Sequence, residues 1–128
     1  MILDSSALVA VVFQEPGCED LLEKIFAASA VAIGGPTLAE AAIVVSARLG
    51  MDGRALLSRL LGEGGIETLP FGQAHFGAAV GAWLRFGRGR HEAALNFGDC
   101  LAYATARVAG RPLLCVGDDF RLTDLPLA

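Results

Sequence analysis

The chain has 128 residues, of which 54% are hydrophobic, and its formal net charge at pH 7 is −4. This length predicts one domain, which we take as residues 1–128, and the negative charge excludes a surface that binds nucleic acid through general positive charge. No apolar run reaches the roughly 18 residues of a membrane span and no basic leader precedes the first strand pattern, so we expect a cytoplasmic protein without membrane contact. The high apolar content indicates surface that is buried against a partner.

Turn and capping residues divide the first half of the chain into short elements. Met1–Leu3 predicts a strand, and the polar residues that follow it can cap a helix at Ala7–Phe13. The elements expected next are a helix at Cys18–Ala28, a strand at Ala30–Ile33, an apolar helix at Thr37–Leu49, and a helix from Asp52 to near Glu63.

The second half continues the alternation of strands and helices. The expected elements are a strand at Ile66–Leu69, a helix at Phe71–Phe86, a Gly/Arg loop at Gly87–Ala93, a helix at Asn96–Ala109 and a strand at Leu113–Val116, with Thr123–Leu125 as a candidate for one more strand. Strands that alternate with helices indicate an α/β domain with a short, mostly parallel, twisted sheet flanked by helices.

Acidic residues stand where strands are expected to join helices or loops. They are Asp4, Glu40, Asp99 and the pair Asp118-Asp119. In an open parallel sheet such junctions share one edge, which is where ligands bind. Carboxylates gathered there repel one another unless protons or a cation intervene, and Mg²⁺ or Mn²⁺ prefers oxygen ligands. The pattern therefore predicts a divalent-cation site, and metal-assisted cleavage of a phosphodiester is the first function to test.

Each acid also has a purely structural explanation. Asp4 can cap the first helix, Thr37–Glu40 matches a capping box, Asn96–Asp99 is a looser version of the same device, and Asp118-Asp119 can belong to a turn. A non-catalytic α/β binding module, in which these residues only cap helices and apolar surface docks a partner, is therefore one alternative function.

A metal-dependent phosphatase is the other alternative. Phosphatases of the haloacid-dehalogenase type need a D-x-D motif after the first strand, where this chain has Asp4-Ser5-Ser6, and they also need a lysine late in the chain. Lys24 is the only lysine and lies in an early helix. The chain also has no G-x-x-x-x-G-K-[ST] motif, which excludes a P-loop nucleotide enzyme.

Four segments match a known family in order and spacing, and they extend over essentially the whole chain. They are Ile2–Ala10, Thr37–Glu40, Asn96–Ala104 and Leu113–Phe120, followed by Thr123-Asp124. With them the chain resembles the PIN-domain ribonucleases, and within that family the VapC toxins of bacterial toxin–antitoxin pairs. Each motif is weak alone, whereas the set is specific.

The resemblance implies a role for each matching acid. Asp4, Glu40, Asp99 and Asp119 would be the catalytic and metal-binding residues, with Asp4 and Asp99 as direct ligands of Mg²⁺ or Mn²⁺. Three further residues would support the acids: Ser6, Asn96 and Asp118. Which residue of the Asp118-Asp119 pair faces the metal stays open, as does the number of metal ions.

The resemblance also implies a function and partners. It implies an endoribonuclease that inhibits translation by cutting a structured RNA such as tRNA or rRNA, is restrained by a VapB-type antitoxin, and forms a homodimer. Arg85, Arg88 and Arg90 are candidates for binding RNA phosphates, although a solvated Gly/Arg loop is the other interpretation. Three cysteines without a C-x-x-C pair fit a reducing compartment.

Overall fold

The computed structural model describes all residues from Met1 to Ala128 as four short strands and six helices. The strands are β1 (Ile2–Leu3), β2 (Ala32–Gly34), β3 (Glu67–Leu69) and β4 (Leu113–Leu114). The helices are α1 (Ser5–Val12), α2 (Cys18–Ala27), α3 (Gly35–Leu49), α4 (Arg54–Gly64), α5 (Gln73–Phe86) and α6 (Phe97–Ala109). No helix combines the length and the apolar character that a membrane crossing requires.

The strands form one sheet in the order β3-β2-β1-β4, and every pair of neighbours is parallel. This confirms the α/β class and the parallel sheet. The chain proceeds outward from β1 to β3 and then returns to the other side of β1 to add β4. Ligand sites of open α/β sheets lie at such a reversal, beyond the carboxyl ends of the strands. The residues that follow β1 and β4 are therefore placed to form a site.

Helices cover both faces of the sheet because successive strand residues point to opposite sides. Leu3 and Leu114 belong to a buried core with residues of α1, α2, α3 and α4. Ile2 and Leu113 belong to a second buried core with residues of α5 and α6. The sheet is thus the middle layer of three, and its strands are apolar on both sides, as is typical of parallel sheets.

The predicted elements are present with ends shifted by one or two residues, apart from the last strand. β4 stops at Leu114 because the Val116 N–H is bound by the Ser6 side chain instead of a neighbouring strand. The strand predicted at Thr123–Leu125 is wrong: Thr123 forms a turn, with its N–H and its hydroxyl both donating to the carbonyl of Phe120.

The chain still extends the sheet beyond β4, but with later residues. Leu127 forms an isolated parallel bridge with Leu113. In this bridge the Leu113 N–H donates to the carbonyl of Pro126, and the Ala128 N–H donates to the carbonyl of Leu113. The C-terminal segment thereby covers the β4 edge of the sheet and satisfies its backbone groups.

Close packing at the end of β2 brings α3 and α6 together. A Cβ at Gly34 would lie 2.5 Å from the Oγ1 of Thr105, a buried residue of α6. That hydroxyl donates to the carbonyl of Leu101 at 3.0 Å, which holds the side chain in place. Glycine at this position therefore allows α6, which carries Asp99, to approach the start of α3, which carries Glu40.

We predict that Gly34→Ala lowers the free energy of unfolding by about 1–3 kcal/mol, which is the usual cost of overpacking a core. Adding Thr105→Ala should recover part of this loss because it removes the opposing hydroxyl. Urea unfolding of both single variants and the double variant measures the effect. Losses that simply add in the double variant would contradict the close contact.

Candidate active site

Asp4 is a carboxylate at the end of β1 whose residue is only 5% exposed. It caps α1, since its Oδ2 accepts from the Ser6 N–H at 3.0 Å and also from the Ser6 hydroxyl. The Ser6 oxygen in turn accepts from the Val116 N–H at 3.0 Å. Ser6 therefore joins the carboxylate after β1 to the loop after β4, which is the position expected of a supporting residue.

Glu40 lies inside α3 and does not cap it. The capping box predicted at Thr37–Glu40 is wrong because α3 begins two residues before Thr37, with Pro36 in its first turn. The half-buried Glu40 carboxylate instead lies against Gly98 of α6, where an added Cβ would be 2.5 Å from Oε2. Gly98 is a residue of this site that the sequence motifs did not indicate. The sequence gives one indication of its role: glycine occupies the first turn of a helix, where alanine has the better helix propensity.

Asp99 is half-buried and is held at the start of α6 by a reciprocal pair of hydrogen bonds. The Asp99 N–H donates to Oδ1 of Asn96, and the Asn96 N–H donates to Oδ2 of Asp99, both at 2.9 Å. The capping box expected here is therefore confirmed. Because α6 runs back along the sheet before β4, its first turn lies at the carboxyl edge, near Asp4 and Glu40.

The structure separates the two adjacent acids after β4. Asp118 is exposed, and its carboxylate pairs with Nε of Arg121 at 2.9 Å. Asp119 forms no ion pair, and its negative charge contributes to raising the pKa of Asp99. The two neighbours thus face different surroundings, and Asp119 is the one whose charge acts on the other acids.

Burial and mutual repulsion raise the pKa values of two of the acids. Burial raises the pKa of Asp99 to about 6. The charges of Asp4, Asp119 and Glu40 act in the same direction, and the hydrogen bond from the Asn96 backbone opposes them. Burial and the charge of Asp4 also raise the pKa of Glu40. The four acids therefore share one electrostatic environment, although they come from separate parts of the chain.

The thiol of Cys115 is close enough to these acids for their charges to act on its pKa. Burial raises its pKa to about 11, with further contributions from Asp4, Asp119 and Asp99. Lys24 opposes this shift only weakly. The single lysine is therefore close enough to act on the thiol, but it is not among the groups that shift the pKa of Asp99 or Glu40.

No basic side chain forms an ion pair with any of the four acids in the structure's six ion pairs. No group of three or more His, Cys, Asp or Glu side chains is arranged tightly enough to hold a metal ion by itself. The donors nonetheless fit Mg²⁺ or Mn²⁺: they are all carboxylate oxygens, and such ions usually take only one or two carboxylates and keep several waters. A cation would also relieve the repulsion that raises the pKa of Asp99.

The three predicted RNA-binding arginines have different surroundings. Arg85 is engaged with Asp124 at 3.1 Å, and Asp124 also accepts from the Tyr103 hydroxyl at 2.7 Å. Arg88 and Arg90 form no ion pair. Arg85 therefore helps to fasten the C-terminal loop to α5 and α6, whereas the charges of the other two remain uncompensated.

Fold and sequence together define the class of protein: the chain belongs to the PIN domain family, whose model matches residues 1–125. Its relatives narrow the class. The chain is 45% identical over 126 residues to Ribonuclease VapC36 of Mycobacterium tuberculosis, covering 98% of this chain and 91% of the relative. It is 41% identical over 126 residues to Ribonuclease VapC of Mycolicibacterium smegmatis, covering 98% and 97%. The resemblance to VapC-type PIN-domain ribonucleases is confirmed.

Solved structures share the fold. The chain matches VapBC2 from Rickettsia felis, crystallised with a DNA fragment from its promoter, with a TM-score of 0.77 and 18% identity over 99% of this chain and 96% of that one. It matches a toxin–antitoxin complex from Klebsiella pneumoniae with a TM-score of 0.73 and 16% identity over 99% and 95%. At these identities the likeness concerns the fold alone.

The raised pKa of Asp99 predicts how the stability of the metal-free protein depends on pH. The folded state binds this proton more tightly than the unfolded state, so stability should decrease as pH rises from about 4 through about 6. Asp99→Asn should weaken this dependence and be more stable than the original chain at pH 7. Urea unfolding in a chelator across this pH range measures both effects.

The carboxyls with a lowered pKa, Asp52 and Asp124, do not confound this window because they titrate below it. Asp118→Asn is the matched control, since it removes one negative charge from an exposed ion pair. A pH dependence that is the same in Asp99→Asn and the original chain would contradict the assignment.

Proposed function

We propose that this protein is a Mg²⁺- or Mn²⁺-dependent endoribonuclease. The observation that carries the proposal is the set of four acids without basic partners at the carboxyl edge of the sheet, where burial and mutual charge raise the pKa of Asp99 to about 6. Membership of the PIN domain family and relatives named as VapC ribonucleases support the same activity. RNA is the substrate class that this combination favours.

The four acids divide into two pairs with different tasks in this proposal. A bound divalent cation supplies a Lewis acid and lowers the pKa of water. Asp4 and Asp99 would hold the cation, because both carboxylates are already oriented by hydrogen bonds at helix starts. Glu40 and Asp119 would orient the attacking water and accept its proton. Ser6 and Asn96 keep the first pair in place, and cleavage would leave a 5′-phosphate on the product.

The proposed biological role is that of the toxin in a VapBC pair. Both structural neighbours described above come from toxin–antitoxin complexes, which supports a VapB-type antitoxin as the partner of this chain. Large apolar side chains at the surface, among them Ile43 and Phe76, supply area for an antitoxin and for a homodimer. We propose that cleavage of a structured RNA, tRNA or rRNA, inhibits translation.

Asp4→Asn and Asp99→Asn should each reduce RNA cleavage by at least about 100-fold, since even outer-shell partners of metal ligands cost about 10–100-fold. The fold should persist because asparagine caps α1 as well as aspartate does, and because the side-chain oxygen of an asparagine at position 99 can still accept from the Asn96 N–H. The measurement is the rate of cleavage of purified RNA in Mg²⁺, with sequencing of the new 5′ ends.

Asp118→Asn and Asp119→Asn form the matched pair for this experiment. Cleavage should be lost with Asp119→Asn and retained with Asp118→Asn, whose carboxylate is paired with Arg121. Mg²⁺ should also raise the melting temperature of the original chain more than that of Asp99→Asn. Full cleavage by a folded Asp4→Asn protein would contradict the proposal, and faster turnover of a small phosphomonoester than of RNA would favour a phosphatase.

Gly98→Ala tests the placement of Glu40 separately from its charge. The new Cβ must displace the Glu40 carboxylate, whereas alanine is favoured over glycine in a helix by about 1 kcal/mol. We therefore predict a fold at least as stable as the original and a loss of cleavage approaching that of Glu40→Gln. Parallel urea unfolding and cleavage assays measure the two effects. Unchanged cleavage in Gly98→Ala would show that Glu40 does not act from this position.

A further inference from the structure

An exposed aromatic ring stands between the acidic site and the uncompensated arginines. Phe97 is the first residue of α6, two positions before Asp99, and is 79% exposed. On one side it lines a groove that includes Glu40. On the other side it lines a second groove, of about 350 Å³, that includes Trp83 and Arg88. The Phe97 ring is therefore shared by a groove that contains Arg88 and a groove that contains Glu40.

The second aromatic wall of this groove is held rigidly. The guanidinium of Arg90 stacks on the Trp83 ring, 4.8 Å from its centroid, and its Nε donates to the carbonyl of Leu84. Gly87 packs so closely that an added Cβ would lie 2.6 Å from Cδ1 of Trp83. These contacts restrict the orientation of the indole in the free protein, which reduces the entropy that it loses on binding.

Charge decides which occupant fits. Arg88 and Arg90 form no ion pair although the chain carries a net charge of −4, so positive charge is concentrated where the aromatic rings are exposed. Aromatic faces beside unpaired arginines are the combination that binds single-stranded nucleic acid, with bases on the rings and phosphates on the cations. A purely apolar occupant would leave the guanidinium of Arg88, which lines the groove, without an anionic partner.

We propose that the groove between Trp83 and Phe97 receives an unpaired base of the RNA substrate, stacked on Phe97, with Arg88 on a flanking phosphate. This inference rests on the proposed function and adds to it the form of the substrate at the site. Bases within a duplex are already stacked on their neighbours, so the groove selects a loop, bulge or single-stranded end. The adjacent phosphodiester then lies toward Asp99 and Glu40.

The test is the affinity of the metal-free protein for a fluorescent single-stranded oligoadenylate, measured by anisotropy. Phe97→Leu keeps an apolar side chain but loses the aromatic face, and should weaken binding by about 5- to 150-fold, the range for loss of one stacked base. Phe97→Trp should retain affinity. Phe26→Leu is the matched control, since Phe26 is 74% exposed on α2, and it should bind as the original chain does.

Arg88→Gln should reduce the slope of log affinity against log salt by about 0.7–1. Unchanged affinity of Phe97→Leu, or equal losses in Phe97→Leu and Phe97→Trp, would overturn the inference. So would a change from dimer to monomer in Phe97→Leu, by light scattering, with RNA affinity unchanged, because a second copy would then occupy the groove.

Cleavage by the original chain in Mg²⁺ is measured in parallel and separates this inference from the proposed function. If RNA binding depends on Phe97 but no cleavage occurs, the inference about the groove is supported and the proposed nuclease activity is contradicted. If cleavage occurs and Phe97→Leu does not alter its KM, the proposed nuclease activity is supported and the inference about the groove is contradicted.

Discussion

Repulsion among carboxylates is the constraint around which this molecule is built. Four acids from separate parts of the chain lie at one edge of a parallel sheet without a basic partner. Burial raises the pKa of Asp99, and the charges of the other three acids raise it further. Such an arrangement lowers the stability of the folded protein at neutral pH, so other interactions in the structure must offset this loss. Two apolar cores on either side of the sheet offset this loss, because they fix the strand ends and helix starts from which the acids project.

The hydrogen bonds of helix capping are the means by which the acids are oriented. Asp4 and Asp99 both accept backbone N–H groups, Asp4 from within α1 and Asp99 from Asn96 just before α6, and each remains beside the other acids. Capping and metal binding are therefore compatible uses of one carboxylate, since a carboxylate has about four lone-pair positions and these bonds occupy few of them. Glu40 has no such bond to the backbone. A hydrogen bond with the Ser5 side chain acts on its carboxylate, and Gly98 leaves the space that this carboxylate occupies.

The sequence predicted the parts of the site that local chemistry determines. A few neighbouring residues were enough to predict that Asp4 follows an apolar strand and that Asn96–Asp99 forms a capping box. The structure confirms both caps. Features that depend on contacts across the fold were beyond such reasoning. Thr37–Glu40 imitates a capping box, but α3 begins two residues earlier, at Gly35, with Pro36 in its first turn. The difference between Asp118 and Asp119, and the covering of β4 by Leu127, likewise arise only in three dimensions.

The arginines near the C-terminal loop and those near the aromatic rings have different partners. Arg85 and Arg107 both lie within ion-pair distance of Asp124, whose other oxygen accepts from Tyr103, so these two cations serve the C-terminal loop. Arg88 and Arg90 are left without acidic partners beside exposed aromatic rings. A protein with a net charge of −4 attracts RNA weakly at long range, and a polyanion gains binding energy only where cations are uncompensated. Under the proposed function, such a surface would bind RNA through a few local contacts, which favours recognition of shape and unpaired bases over nonspecific adhesion.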